Sequence, residues 1–258
     1  MIVKTEAVVL KSMKYSESSL IVTFYTKQFG KLSGLVKGAR RNKSNYGASL
    51  QPMSYVSLVL YKKETRELQT ITQCDSITSM RRVAEDIARI AVGLPIIELV
   101  AMIAHEEERN EPLFALLVES LHALNESKAN PQNVLSYFEL KLAIILGFEP
   151  QFGSCVTCGE LVEAGNGREV LYHLARGGPI CSRCTSGAQT TFSISHQNYD
   201  QIRTIHESDN AMQSMLHTVP GASDPDIQHF LWTFLHQHAS GIRPLRSSRV
   251  FAQFSTEA

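Results

Sequence analysis

Four of the five cysteines stand in two pairs, Cys155-Val156-Thr157-Cys158 and Cys181-Ser182-Arg183-Cys184, with twenty-two residues between them. Two residues between cysteines let both thiolates of a knuckle turn toward one ion, and two knuckles complete a tetrahedron. Four thiolates also close the coordination shell, so the ion expected here, one structural Zn2+, has no open position for a reacting water. Turn chemistry agrees. Gly159 follows the first pair and Gly177-Gly178-Pro179 precedes the second, and glycine permits the left-handed backbone that brings amides close to sulfur. An iron–sulfur cluster would use the same four thiolates. A redox pair normally opens a helix after a buried strand, a setting that neither pair has. Two disulfides would need an oxidising compartment. His173 lies between the knuckles as a substitute ligand, although a hairpin histidine is its plainer reading. Arg168, Arg176 and Arg183 are placed to offset the negative charge of a four-thiolate zinc, or to be solvated surface arginines.

The second chemical signal is charge. The chain of 258 residues is neutral overall, yet residues 1–82 hold fourteen Lys and Arg against five Asp and Glu, and the remainder reverses the balance. Such a split points to a polyanionic partner for the basic part. Lys37-Gly38-Ala39-Arg40-Arg41-Asn42-Lys43-Ser44 is a basic loop rather than an amphipathic helix. Lys62, Lys63 and Arg66 form a second basic group, and Lys11 and Lys14 a third. Any one of these is ordinarily a solvated surface residue; together they make Lys11, Lys14, Lys37, Arg40, Arg41, Lys43, Lys62, Lys63 and Arg66 candidate phosphate contacts. Tyr25, Tyr46, Tyr55 and Tyr61 are candidate platforms for stacked bases, with barrel packing as the ordinary role of each.

The elements that position these groups follow from periodicity. Residues 1–78 contain five short β-type runs: the alternating start at Ile2–Leu10, Leu20–Tyr25, Leu32–Val36, Met53–Tyr61 and Glu67–Thr72. No helical period lies among them, so a small closed barrel is expected, and five strands make an OB-fold the natural candidate. Cys74, the odd cysteine, is expected as a small apolar residue at a strand end. From Ser79 the apolar period becomes helical: Met80, Val83, Ile87, Ile90 and Leu94 recur three or four apart, and Pro95 is expected to end or kink that helix. Further helices follow from Ile96, from Pro112, from the cap pair Asn130-Pro131 and from Asp224-Pro225, with looser helical character at 210–216. The class is therefore α+β: an N-terminal barrel (1–78) and a C-terminal helical domain (79–258) with an inserted four-cysteine zinc module (151–191). His229, His236 and His238 share one helix and are expected at its surface. The basic tail Arg243-Pro244-Leu245-Arg246-Ser247-Ser248-Arg249 has no structural pattern.

Function classes narrow accordingly. There is no Walker loop, no Gly-x-Ser-x-Gly elbow and no His-Glu-x-x-His, so no catalytic residue is named and a non-enzymatic binding protein is expected. The N-terminus is charged at once, and no apolar run is long enough to span a bilayer; a soluble cytoplasmic protein is expected. A zinc-containing scaffold whose barrel binds protein rather than DNA is the alternative.

This order of parts resembles the bacterial recombination mediator RecO family. The most specific matches are Lys37-Gly38-Ala39-Arg40-Arg41 after the Phe29-Gly30 hairpin and Leu146-Gly147-Phe148-Glu149-Pro150 leading into the first knuckle. The resemblance implies binding of single- and double-stranded DNA, annealing of complementary strands, and loading of recombinase with the RecR partner. It also implies contact with the acidic tail of single-stranded DNA-binding protein, and a nucleoid-associated location.

Overall fold

The computed structural model describes residues 1–41, 46–128, 130–162, 169–185, 191–207 and 224–247. Strands β1 (Ile2–Lys14), β2 (Leu20–Thr26), β3 (Gly30–Val36), β4 (Tyr55–Tyr61) and β5 (Leu68–Thr78) close a barrel in the order β1-β2-β3-β5-β4, with β4 returning to β1. Ser33–Val36 of β3 run parallel to Leu68–Ile71 of β5, and the other pairings are antiparallel. Strict alternation in β3 turns Leu32, Gly34 and Val36 inward, where they meet Val9, Val22, Phe24, Val56, Leu58, Leu60 and Ile71. A Cβ on Gly34 would come within 2.5 Å of the Ile71 side chain, so that glycine is what lets β5 close on β3. A register shift between Val9 and Lys11 bends β1 enough for it to serve two neighbours. This is the five-stranded OB barrel that the alternation predicts.

Several boundaries differ from expectation, and β1 runs on past Leu10 to Lys14. Strand β4 begins at Tyr55 because Met53 takes a left-handed conformation, φ 71°, and donates its N–H to the Val9 carbonyl at 2.9 Å. Strand β5 continues to Thr78, which puts Cys74 inside the core, where burial pushes its thiol up to about 12. It is an inert apolar filler.

Met1–Glu126 and the segment from Pro244 form one compact unit, and Ser127–Arg243 form another. The division at residue 78 thus follows a change of secondary structure, whereas packing joins the first three helices to the barrel. These are α1 (Arg81–Glu85), α2 (Ile87–Ile103) and α3 (Glu111–Glu126). The helical period breaks at Asp86, not at Pro95. Asp86 is extended, and its carboxylate accepts the Ala88 N–H at 2.9 Å, capping α2. Pro95 lies within α2, where an interior proline costs about 3 kcal/mol. Burial of Val92, Ile96, Ile97, Leu99 and Val100 on the same helix, about 1.5–3 kcal/mol each, outweighs that. Residues 245–247 are held in place as well: Leu245 is buried, and the Glu98 carboxylate accepts from the Arg246 N–H, the Ser247 N–H and the Ser247 hydroxyl at 2.7–3.1 Å. Arg249 lies outside the described residues.

The second unit contains α4 (Pro131–Ile145), β6 (Val170–His173), β7 (Gly178–Ile180), β8 (Thr191–Ile194), α5 (His196–Glu207) and α6 (Pro225–His238). Asn130 and Asp224 cap α4 and α6 as their sequence predicts, each accepting a backbone N–H at 2.9 Å. The small sheet, ordered β7-β6-β8, buries Tyr172 against Phe230 at 4.9 Å between ring centroids. His236 is exposed, but His238 sits 2.7 Å from the Leu174 carbonyl with its ring against Phe234. The helical stretch expected at 210–216 lies outside the described residues.

Candidate metal centre and nucleic-acid interface

The first knuckle is shaped by its neighbours. Gly153 and Gly159 have φ of 89° and 78°. The Cys155 N–H donates to the Glu160 carbonyl at 2.7 Å, and the Gly159 N–H to the Cys155 carbonyl at 2.8 Å. The second knuckle closes with the Cys184 N–H on the Cys181 carbonyl at 2.9 Å. One bond ties them together: Val156, between the first two cysteines, donates to the Pro179 carbonyl of β7, two residues before Cys181. The approach is close enough that a Cβ on Gly178 would meet the Val156 side chain at 2.2 Å. The glycines that sequence analysis read as turn formers therefore also set the distance between the knuckles.

As a result the sulfurs of Cys155, Cys158, Cys181 and Cys184 all lie within 4.8 Å of one another, with Cys158 and Cys181 at 3.6 Å. A tetrahedral ion with Zn–S bonds of about 2.3 Å needs sulfurs about 3.8 Å apart, so the donor set fits one such ion. Electrostatics point the same way. Burial pushes the Cys155 thiol up, but the N–H groups of Cys181, Cys158 and Thr157 reverse this and hold it at about 6. Hydrogen bonds to the Cys158 and Cys181 sulfurs push Cys184 up to about 12. Cys155 ionises readily while Cys158 and Cys184 resist; a bound cation favours the thiolate form of such a set. His173 is not part of the cluster. Arg176 donates to the Thr157 hydroxyl at 3.1 Å, at the rim of the first knuckle, while Arg183 is ion-paired with Glu160. Arg168 lies outside the described residues.

The cationic candidates fall into two groups at opposite ends of the barrel. Lys14 pairs with Leu20 and Leu20 with Val36, so the end of β1 and the turn after β3 share one end. Lys11, Lys14, Lys37, Arg40 and Arg41 are gathered there, on the outside of the barrel. Arg40 joins the turns: its N–H donates to the Ser18 carbonyl, and its guanidinium donates to the Ser16 and Glu17 carbonyls at 2.9 and 3.1 Å. Glu17 is the one acid within residues 11–19 and 37–41. Lys43 lies outside the described residues.

Lys62, Lys63 and Arg66 occupy the other end, where the Lys62 N–H donates to the Met1 carbonyl at the start of β1. Lys62 lies beside the start of β1 and Lys14 at its end, while Leu68 pairs with Ser33 midway along β3 and the cleft beside Arg66 reaches Ile21, the partner of Met13. The second group also lies among acids. Lys62 Nζ lies 3.0 Å from Glu107 and over the Phe29 ring, and Glu64, Glu67, Glu106 and Glu107 share a cleft with Arg66. Sequence proximity could not reveal this, because Glu106 and Glu107 come from the segment after α2.

Of the four tyrosines named as stacking platforms, Tyr25 is buried, its hydroxyl within reach of the Asn110 carbonyl. Tyr55 donates to Glu6 at 2.6 Å and packs on Phe114 and His122. The Tyr46 hydroxyl donates to the Thr72 carbonyl. Tyr61 is exposed, but at the end that lies among acids. An exposed aromatic at the basic end is Tyr15, absent from the four tyrosines named above, which follows β1 instead of lying within it. No helix among the described residues is long and apolar enough to cross a membrane.

Comparison with known proteins gives two family matches that together span nearly the whole chain: "Recombination protein O N terminal" over residues 1–80 and "Recombination protein O C terminal" over 84–249. Curated proteins named DNA repair protein RecO are similar over most of its length. The one from Salinibacter ruber is 45% identical over 69% of this chain, and that from Alkaliphilus metalliredigens 35% over 71%. That from Symbiobacterium thermophilum is 30% identical over 79%. The matched stretches cover 66%, 72% and 79% of those relatives, so the chain spans just under two thirds of the Salinibacter protein.

Proposed function

The chain belongs to the recombination protein O family, and from that premise we propose that it is a DNA-binding recombination mediator acting in recombinational repair. It anneals complementary single strands and, with RecR, helps load recombinase onto single-stranded DNA coated by single-stranded DNA-binding protein, whose acidic tail it contacts. The observation that carries this reading is the cluster of Lys11, Lys14, Lys37, Arg40 and Arg41 on two adjoining turns at one end of the barrel. Five cations beside a single acid hold phosphate oxygens and release counterions. Annealing asks for nothing more than lowered repulsion between two polyanions. No bond is broken, so no catalytic residue is required and the protein is not an enzyme.

The four cysteines hold one Zn2+ per chain, which fixes the knuckles and takes no part in chemistry. DNA binding places the protein in the cytoplasm, at the nucleoid. Lys63 and Arg66, and Lys62 once released from Glu107, serve at most as a secondary contact for a strand that passes the length of the barrel.

The test is a titration with a single-stranded oligonucleotide at several salt concentrations. Replacing Lys14, Lys37 and Arg41 together by Ala should weaken binding to every sequence and flatten the dependence of log K on log salt by about 2, since each phosphate contact on a single strand contributes about 0.7. An unchanged slope would move the DNA site off this end of the barrel.

A further inference from the structure

Beyond Val8, β1 no longer pairs with β4, and residues 11–14 have β2 as their one strand partner, forming an edge of the sheet beside β2 and β3. Lys11 and Met13 share one row of that edge, Tyr15 follows directly after the strand, and Met13 and Tyr15 are 45% and 62% exposed. A single exposed apolar residue needs no explanation. Two within three residues, next to the turn that Arg40 joins to Lys37 and Arg41, do. The backbone beneath them is fixed: the Tyr15 and Ser16 N–H groups donate to the Ser19 carbonyl, and Arg40 supplies three more bonds to Ser16, Glu17 and Ser18. A ring carried on a backbone already ordered gives up little freedom when it binds.

Charge alone would give this end of the barrel the wrong preference. A duplex carries one phosphate per ~1.7 Å of axis, and a single strand one per ~3.4 Å, so bare lysines favour the duplex. The group that only a single strand offers is the open face of a base. Two residues of extended backbone, the step from Met13 to Tyr15, span at most about 6.8 Å, roughly twice the ~3.4 Å taken by one stacked nucleotide. They match the spacing of alternate bases.

We propose that Tyr15, backed by Met13, is the platform on which an unpaired base stacks, and that this contact makes the basic end of the barrel select single strands over duplex. The inference rests on the DNA-binding reading above and deepens it. The hydroxyl is not needed; the ring face is.

Affinities for a single-stranded oligonucleotide and for its duplex, each measured by anisotropy across a salt series, test it. Tyr15→Ala should weaken single-strand binding about 5- to 150-fold, the usual range for removing one stacking partner. Its salt slope should stay unchanged and its duplex affinity should hold within about twofold. Tyr15→Phe should bind both as the parent does. Tyr15→Trp, made with Trp232→Phe, should show emission quenched by the single strand and not by the duplex. Equal losses on both forms, no loss on either, or an introduced indole whose emission is blind to single strands would each overturn the proposal. The Lys14, Lys37 and Arg41 variant separates the two readings: if it loses salt-dependent binding while Tyr15→Ala loses nothing, the DNA site stands and the stacking role falls.

Discussion

The barrel and the four-cysteine module hold their shapes by different means. In the barrel, alternate residues of every strand enter one continuous core, from Val9 and Phe24 to Leu58 and Ile71. The strands around the knuckles are three and four residues long, and short strands bury little on their own. Their geometry instead rests on the glycine turns, the Val156–Pro179 hydrogen bond and four sulfurs within 4.8 Å of one another. A core made of many small contacts tolerates the loss of any one. A site made of four ligands does not.

The sharpest way to break this contrast is to remove a ligand. Cys155→Ser, or a strong chelator, should lower metal content from about one ion per chain to near zero, as a four-thiolate site holds one ion. Because such sites supply on the order of 10–16 kcal/mol of folding free energy in small zinc peptides, amide exchange should rise steeply across residues 151–185 while the barrel stays protected. Equal deprotection of both regions would end the comparison.

The barrel has its own weak form of the same test. Phe24→Ala removes a fully buried ring and should cost about 3–5 kcal/mol, read as a lower urea midpoint with metal content unchanged. A smaller effect concerns pH. Glu139 on α4 is buried, and desolvation pushes its carboxyl up to about 8; the Gln228 amide nitrogen can approach it at 3.1 Å. The folded state therefore keeps a proton that the unfolded chain releases at ordinary carboxylate pH. That stabilisation is complete below about pH 4.3 and is lost as pH rises toward 8. Trp232 emission in a urea series should show Glu139→Gln gaining on the parent across that window, a trend the barrel core should not share. Smallest of all, Lys63→Ala with Arg66→Ala should change single-strand affinity less than about twofold, since charges balanced by nearby acids release few counterions. A large loss there would join the two ends of the barrel into one track.

Much of this was legible from local pattern. The two Cys-x-x-Cys pairs picked out the four sulfurs that the fold brings together, because two knuckles need only local turns to aim them. The caps Asn130 and Asp224 marked helix starts because capping is a bond within two residues. Pro95 misled, since its local cost is overridden by what α2 buries. The tail was unreadable because what holds residues 246 and 247 is Glu98, far away in sequence.

By itself, then, the sequence determined the element types, the four-cysteine set and the concentration of positive charge in its first third, all properties of short windows. Only the tertiary structure decided which charges act together. Strand register carries Lys14 and Lys37 to one end and Lys62 to the other, where Glu107 meets it, and a closed sheet turned Tyr25 inward while leaving Tyr15 in solvent. Pairing partners tens of residues apart set those outcomes, and electrostatic and stacking forces act over distances in space that the chain's order does not contain.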